Sequence, residues 1–143
     1  MAEKTLEVKI YNELIKSMQL KAVDLVKLNV EKYNSFPEGS EVSVEMNFSI
    51  EGYEKTVDEL YIIPKLKVTM VNEQEKGTVA EIQCSYFVVY TSDKIGSVEE
   101  VYLETFIGKT VQHAVWPYLR ELVASLTSRM GYSALVMPVF VRE

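Results

Sequence analysis

The segment from Glu41 to Glu51 alternates without exception: Val42, Val44, Met46, Phe48 and Ile50 interleave with Glu41, Ser43, Glu45, Asn47, Ser49 and Glu51. Successive side chains of an extended backbone point to opposite faces, so a period of two specifies a strand with one apolar and one wet face. Few helices could use that pattern, because winding at 3.6 residues per turn would scatter the apolar side chains around the axis. The chain must therefore build a sheet.

The same period recurs in Val26, Leu28 and Val30 against Lys27, Asn29 and Glu31, and in Leu66, Val68 and Met70 against Lys65, Lys67 and Thr69. Pro37 and Gly39, within Ser35 to Ser40, end the first of these strands. A polar turn from Asn72 to Gly77 predicts a hairpin into a fourth strand, which begins with Ala80, Ile82 and Cys84 against Glu81, Gln83 and Ser85. That strand then turns apolar on both faces through Tyr86, Phe87, Val88, Val89 and Tyr90, and such a strand is covered on both sides. One cover is the chain's own helix, and the other is expected to be a bound segment or another subunit.

Helical spacing appears at both ends. Ile10, Leu14, Ile15 and Met18 predict a short amphipathic helix within Ile10 to Leu20. Val98 to Ile107 forms a short turn of helix, and Lys109 to Met130 a longer one with Val111, Val115, Leu119, Leu122, Leu126 and Met130 on one stripe. Gly131 stands where a left-handed C-cap belongs, and Arg129 before it suits the negative end of the helix dipole. Pro117 removes one backbone donor, which predicts a kink or break near His113 or Ala114. The stretch from Tyr132 to Glu143, with Pro138, is expected to be extended or loop-like.

A length of 143 residues fits one domain over 1–143, and 48% hydrophobic with 25% charged residues excludes disorder. A formal net charge of -6 argues against nucleic acid, whose binding requires clustered cations. The single cysteine, Cys84, cannot close an internal disulfide, and a buried thiol suits a reducing compartment. Met1 to Lys9 contain no apolar core of a signal, and no membrane span is present, so a cytoplasmic protein with no stable membrane insertion is expected.

Chemistry-bearing patterns are sparse. His113 has Lys109, Gln112, Trp116 and Pro117 as helical neighbours, with no Cys, Asp or Glu at metal or triad spacing. Cys84 alternates onto an apolar strand face, where burial raises a thiol pKa and leaves it inert. Glu41, Glu45 and Glu51 lie on a wet face, and the six glycines form no phosphate-cradling spacing, so no cofactor and no metal are expected. The informative feature is surplus apolar surface, in strand four, in Tyr61, Tyr86, Phe87, Tyr90, Tyr102 and Phe106, and in the tail.

From Trp116 to Met137 the string WPYLRELVASLTSRMGYSALVM resembles the signature of the SecB family of export chaperones, an aromatic-Pro-Tyr segment opening an Arg-bearing helix. The strand AEIQCSYFVVY, from Ala80 to Tyr90, is similar to the family's Glu-aliphatic-Gln strand before an apolar run. The resemblance covers about residues 20 to 140. It implies an α+β fold: a SecB-like four-stranded antiparallel sheet, a long kinked C-terminal helix packed on one face and a short N-terminal helix. It also implies a homo-oligomer, a dimer through sheet edges and then a tetramer through helices, which holds unfolded or pre-export polypeptides in apolar grooves.

Carried over by position, Tyr86, Phe87, Val88 and Tyr90 would line or support the groove, with Trp116, Tyr118, Leu135 and Met137 contributing from helix and tail. Glu81 matches an acidic position used for docking the SecA motor, whereas Lys27 occupies a position that is usually acidic. The chain also departs from the pattern in Ser133-Ala134 where a proline pair is usual, in lacking an asparagine after Pro138, and in ending at Glu143 with no second helix or acidic tail. The leading expectation is a holdase for unfolded polypeptides. The alternative is a dedicated partner-binding module, such as a chaperone for one antitoxin, and a third is a thioesterase-like enzyme using Glu81 or His113 as a base.

Overall fold

In the computed structural model, which describes residues 2–33, 42–74 and 76–137, the period-two segments form four strands. These are β1 (Gln19–Lys32), β2 (Val42–Lys55), β3 (Glu59–Asn72) and β4 (Thr78–Thr91). They lie in the order β1-β4-β3-β2, every pair antiparallel. The chain thus runs from one sheet edge across to the other and returns through two hairpins to the interior. The break expected at Ser35–Ser40, Glu41 of the second strand, and the tail beyond Met137 lie outside the described residues.

Each strand is longer than the segment read from its alternation, and in β1 and β2 β-bulges reset the period. In β2 the register slips between Ile50 and Gly52, so Tyr53 returns to the face of Ile50 and packs on the core. In β1 slips at Leu20/Ala22 and Leu25/Lys27 take Val26 out of the ladder, and it is 57% exposed rather than aligned with Leu28. β3 starts at Glu59, well before Leu66, and carries Pro64 in an interior strand. Proline supplies no ladder donor, and the β3–β4 register skips Ile63 and Pro64.

One face of the sheet buries Leu60, Ile62, Leu66 and Val68 from β3 and Ile82, Cys84, Tyr86, Val88 and Tyr90 from β4. Against it pack α2 (Glu100–Phe106), a π-helical turn (Ile107–Val111) and α3 (Gln112–Arg129). Tyr90 meets Phe106 edge-on, with ring centroids 4.9 Å apart. Each large apolar side chain removed from water in this layer contributes on the order of 2 kcal/mol. The inner stripe of α3 runs Val115, Leu119, Val123, Thr127, while Leu122, Leu126 and Met130 sit half-buried at its flank.

The helical irregularity lies in the π turn, ahead of the expected His113 or Ala114, and Pro117 is carried inside α3. At the other end Gly131 adopts φ +88°, a left-handed position that favours glycine. Its N–H donates to Ser128 O and that of Tyr132 to Thr127 O, both at 3.1 Å, which closes the helix as its sequence predicts. The N-terminal helix α1 (Ala2–Ser17) begins before Ile10 and gives up Gln19 and Leu20 to β1; it anchors through Leu14, which is fully buried.

Candidate binding grooves

The eight apolar side chains expected around a groove divide between the two sides of the sheet. Tyr86, Val88 and Tyr90 face the helices and are buried, as are Trp116 and Met137. They support the layer from within. Tyr118 extends from α3 into solvent, its ring centroid 6.3 Å from that of Tyr86, and Leu135 is half-buried on the core. Phe87 alternates with Tyr86 and Val88 along β4 and so stands on the outer face.

A groove of about 400 Å³ opens between the sheet and the end of the helix. Val42, Val44 and Met70 form its sheet wall, Tyr132 and Leu135 its other wall, and Lys32 its rim. Lys32 Nζ donates to Met130 O at 2.8 Å and sits 4.9 Å from the Tyr132 ring centroid, so a cation both caps the helix and fixes an aromatic wall. The wall after the helix is held by two polar side chains. Thr127 Oγ1 donates to Val123 O and accepts from Leu135 N, both at 2.8 Å, and Arg120 Nε donates to Met137 O at 2.9 Å.

Of the groove's lining, sequence reasoning had named only Leu135. Val42, Val44 and Met70 read simply as apolar strand positions, and Tyr132 as part of an irregular tail. The signal that could have located the clamp is Thr127, a hydroxyl in an otherwise apolar helical stripe, since a buried polar group must find a partner.

On the outer face Glu81 is half-buried at the position opposite Glu31. It accepts a hydrogen bond from Tyr33 Oη at 3.2 Å and lies 4.0 Å from Lys67 Nζ. The adjoining Glu31 and Glu81 carboxylates push the Tyr33 phenol up to about 12. Lys27 shares this face, opposite Ser85. Farther along, Tyr61 and Phe87 stack with centroids 5.6 Å apart and planes inclined by 12°. A second hollow of about 340 Å³ lies over them, lined also by Gly52, Glu54 and Ile63.

Burial pushes the Cys84 thiol up to about 11, against the small opposing effect of a hydrogen bond with the Leu66 backbone, so it stays a neutral packing group. His113 is exposed on α3, on the helix side, whereas Glu81 faces out from the other side of the sheet. They cannot address one substrate together. Among the described residues no group of three or more His, Cys, Asp or Glu side chains could hold a metal ion. Among the same residues no helix is long and apolar enough to cross a membrane.

A family model described as preprotein translocase subunit SecB matches residues 4–140. No curated protein matches the sequence. Among solved structures, a SecB-like chaperone of Mycobacterium tuberculosis in complex with a ChAD peptide from the HigA1 antitoxin is similar in fold. Its TM-score is 0.85 at 15% identity, covering 94% of this chain and 99% of that one. A protein of unknown function from Streptococcus agalactiae reaches a TM-score of 0.40 at 8% identity over 85% and 96% of the two chains, too low to carry an argument.

Proposed function

Because the chain belongs to the SecB family, matched across residues 4–140, we propose that it is a holdase chaperone, binding apolar segments of non-native polypeptides without catalysis. The observation that carries this reading is the groove of about 400 Å³ between Val42, Val44 and Met70 on the sheet and Tyr132 and Leu135 beyond the helix. An extended segment laid there buries alternate apolar side chains, which needs no nucleophile, metal or cofactor. The buried Tyr86, Val88, Tyr90, Trp116 and Met137 fix the layer beneath, while Tyr118 and Leu135 remain within reach of a client.

Homo-oligomerisation belongs to the same proposal. β1 is an edge strand with Leu20, Leu25, Val26 and Leu28 exposed, and an apolar edge left unpaired is a template for another strand. A second copy would cover it. Export and a dedicated partner remain the two finer uses. Glu81 on the outer face suits SecA docking, whereas the relative solved with an antitoxin peptide favours a single client.

The test is aggregation of a reduced, unfolding client at a stoichiometric excess of this protein. Suppression is expected, and Val44→Asp should weaken it about tenfold or more by placing a charge where desolvation is costly. Unchanged aggregation in the presence of the wild-type protein would sink the reading. Capture from lysate then separates the uses: many bound chains favour general export, and one dominant chain favours a dedicated partner.

A further inference from the structure

The hollow on the outer face differs in chemistry from the groove assigned to clients. Its floor is the stacked pair Tyr61 and Phe87, extended by Ile63, and a β-bulge at Gly52 leaves open space where another residue would project a side chain. Its borders are charged. Glu54, which lines the hollow, stands opposite Tyr61 on β2, and Asp24, outside the lining on the edge strand β1, stands opposite Phe87, so each ring has a carboxylate as its cross-strand neighbour on the same face.

The surrounding charges are unequally matched. Glu59 is held by Lys21 at 3.1 Å and Glu51 by Lys65 at 3.7 Å. Glu54 and Asp24 have no ion pair among the described residues, and both are exposed. The result is an aromatic floor between two uncompensated negative charges. A planar cation suits both elements, since a guanidinium stacks on aromatic rings and its N–H edge pairs with a neighbouring carboxylate. An ammonium would satisfy the charge but not the stacking.

We propose that this hollow is a docking site for an arginine side chain presented by an extended segment of a partner polypeptide. It lies six residues along β4 from Glu81, about 20 Å, and on the opposite side of the sheet from the apolar groove, so occupation of one does not exclude the others. The segment's flanking apolar residues rest on Ile63 and the exposed rim of Phe87.

The probe is a labelled pentapeptide carrying one arginine between two leucines, compared by fluorescence anisotropy at low salt with the same peptide carrying citrulline, a neutral isostere. The arginine peptide should bind about tenfold more tightly. That preference should vanish in the double variant Asp24→Asn and Glu54→Gln, whose exposed positions leave the fold intact, as an unchanged melting temperature would verify. Phe87→Ala should weaken both peptides, and Val44→Asp should leave the arginine preference as it is. Equal binding of the two peptides, or a preference that survives in the double variant, overturns the proposal. Failure to suppress client aggregation bears only on the holdase reading.

Discussion

Gly96 and Val57 show how one side chain too many would open the end of the sheet. The Gly96 N–H donates to Val57 O at 2.9 Å, and a Cβ on Gly96 would stand 2.9 Å both from that oxygen and from Val57 Cγ2. The methyl of Val57 could turn aside, but the carbonyl is part of the β2–β3 connection and cannot. Gly96→Ala is therefore expected to destabilise the fold by about 1–3 kcal/mol, measured by urea unfolding, through overpacking. A stability equal to wild type would mean that the loop shifts freely. No local signal around Gly96 announces this contact, because its neighbour Val57 is almost forty positions away. At Gly131 the outcome was legible, since the partners that demand a left-handed residue lie within one helical turn.

Among elements, α2 is seated on the sheet by buried Leu103 and Phe106, and polar contacts at its exposed edge add to that attachment. Tyr53 Oη donates to Glu100 at 2.7 Å and lies 3.2 Å from Glu104, and Lys55 pairs with Glu100 at 3.1 Å. These contacts, the Tyr53 hydrogen bond first and Lys55 second, hold the Glu100 carboxyl below its ordinary value. A depressed carboxyl stabilises the fold above its unfolded value and loses that contribution as pH falls through the folded one. Tyr53→Phe should thus lower stability at neutral pH and flatten its acid dependence below the ordinary carboxylate range. Melting curves from pH 7 to pH 3 test this, and parallel profiles for both proteins would contradict it. Alternation placed β2 correctly up to Ile50, but the bulge that turns Tyr53 back to the helices left no period to read.

For the whole molecule, the decisive feature is where apolar surface remains after the core has closed. β1 occupies one edge of the sheet, and exposed Leu25, Val26 and Leu28 line it. If a second copy covers this edge, the wild-type protein should run above monomer mass by light scattering. Val26→Lys with Leu28→Lys should then lower that mass, because cations on an edge strand oppose pairing. A monomeric wild-type protein would leave the edge without a partner copy. The doubly apolar stretch of β4 was legible as interior, and within the sheet itself its outer face is closed unevenly. Val89 is 6% exposed between the register partners Ala22 and Tyr61, whereas Phe87 stays half open.

Period and local chemistry in the sequence were enough to require strands, helices and the Gly131 cap, because those signals act between residues a few positions apart. The tail's own residues could not say that Thr127 and Arg120 would hold Leu135 and Met137 against α3. Nor could β4 alone say that the face of Tyr86 would take the helices and the face of Phe87 the outside. Those outcomes depend on strand order and on bulges that reset the alternation, and both are settled only when distant segments compete for the same neighbours.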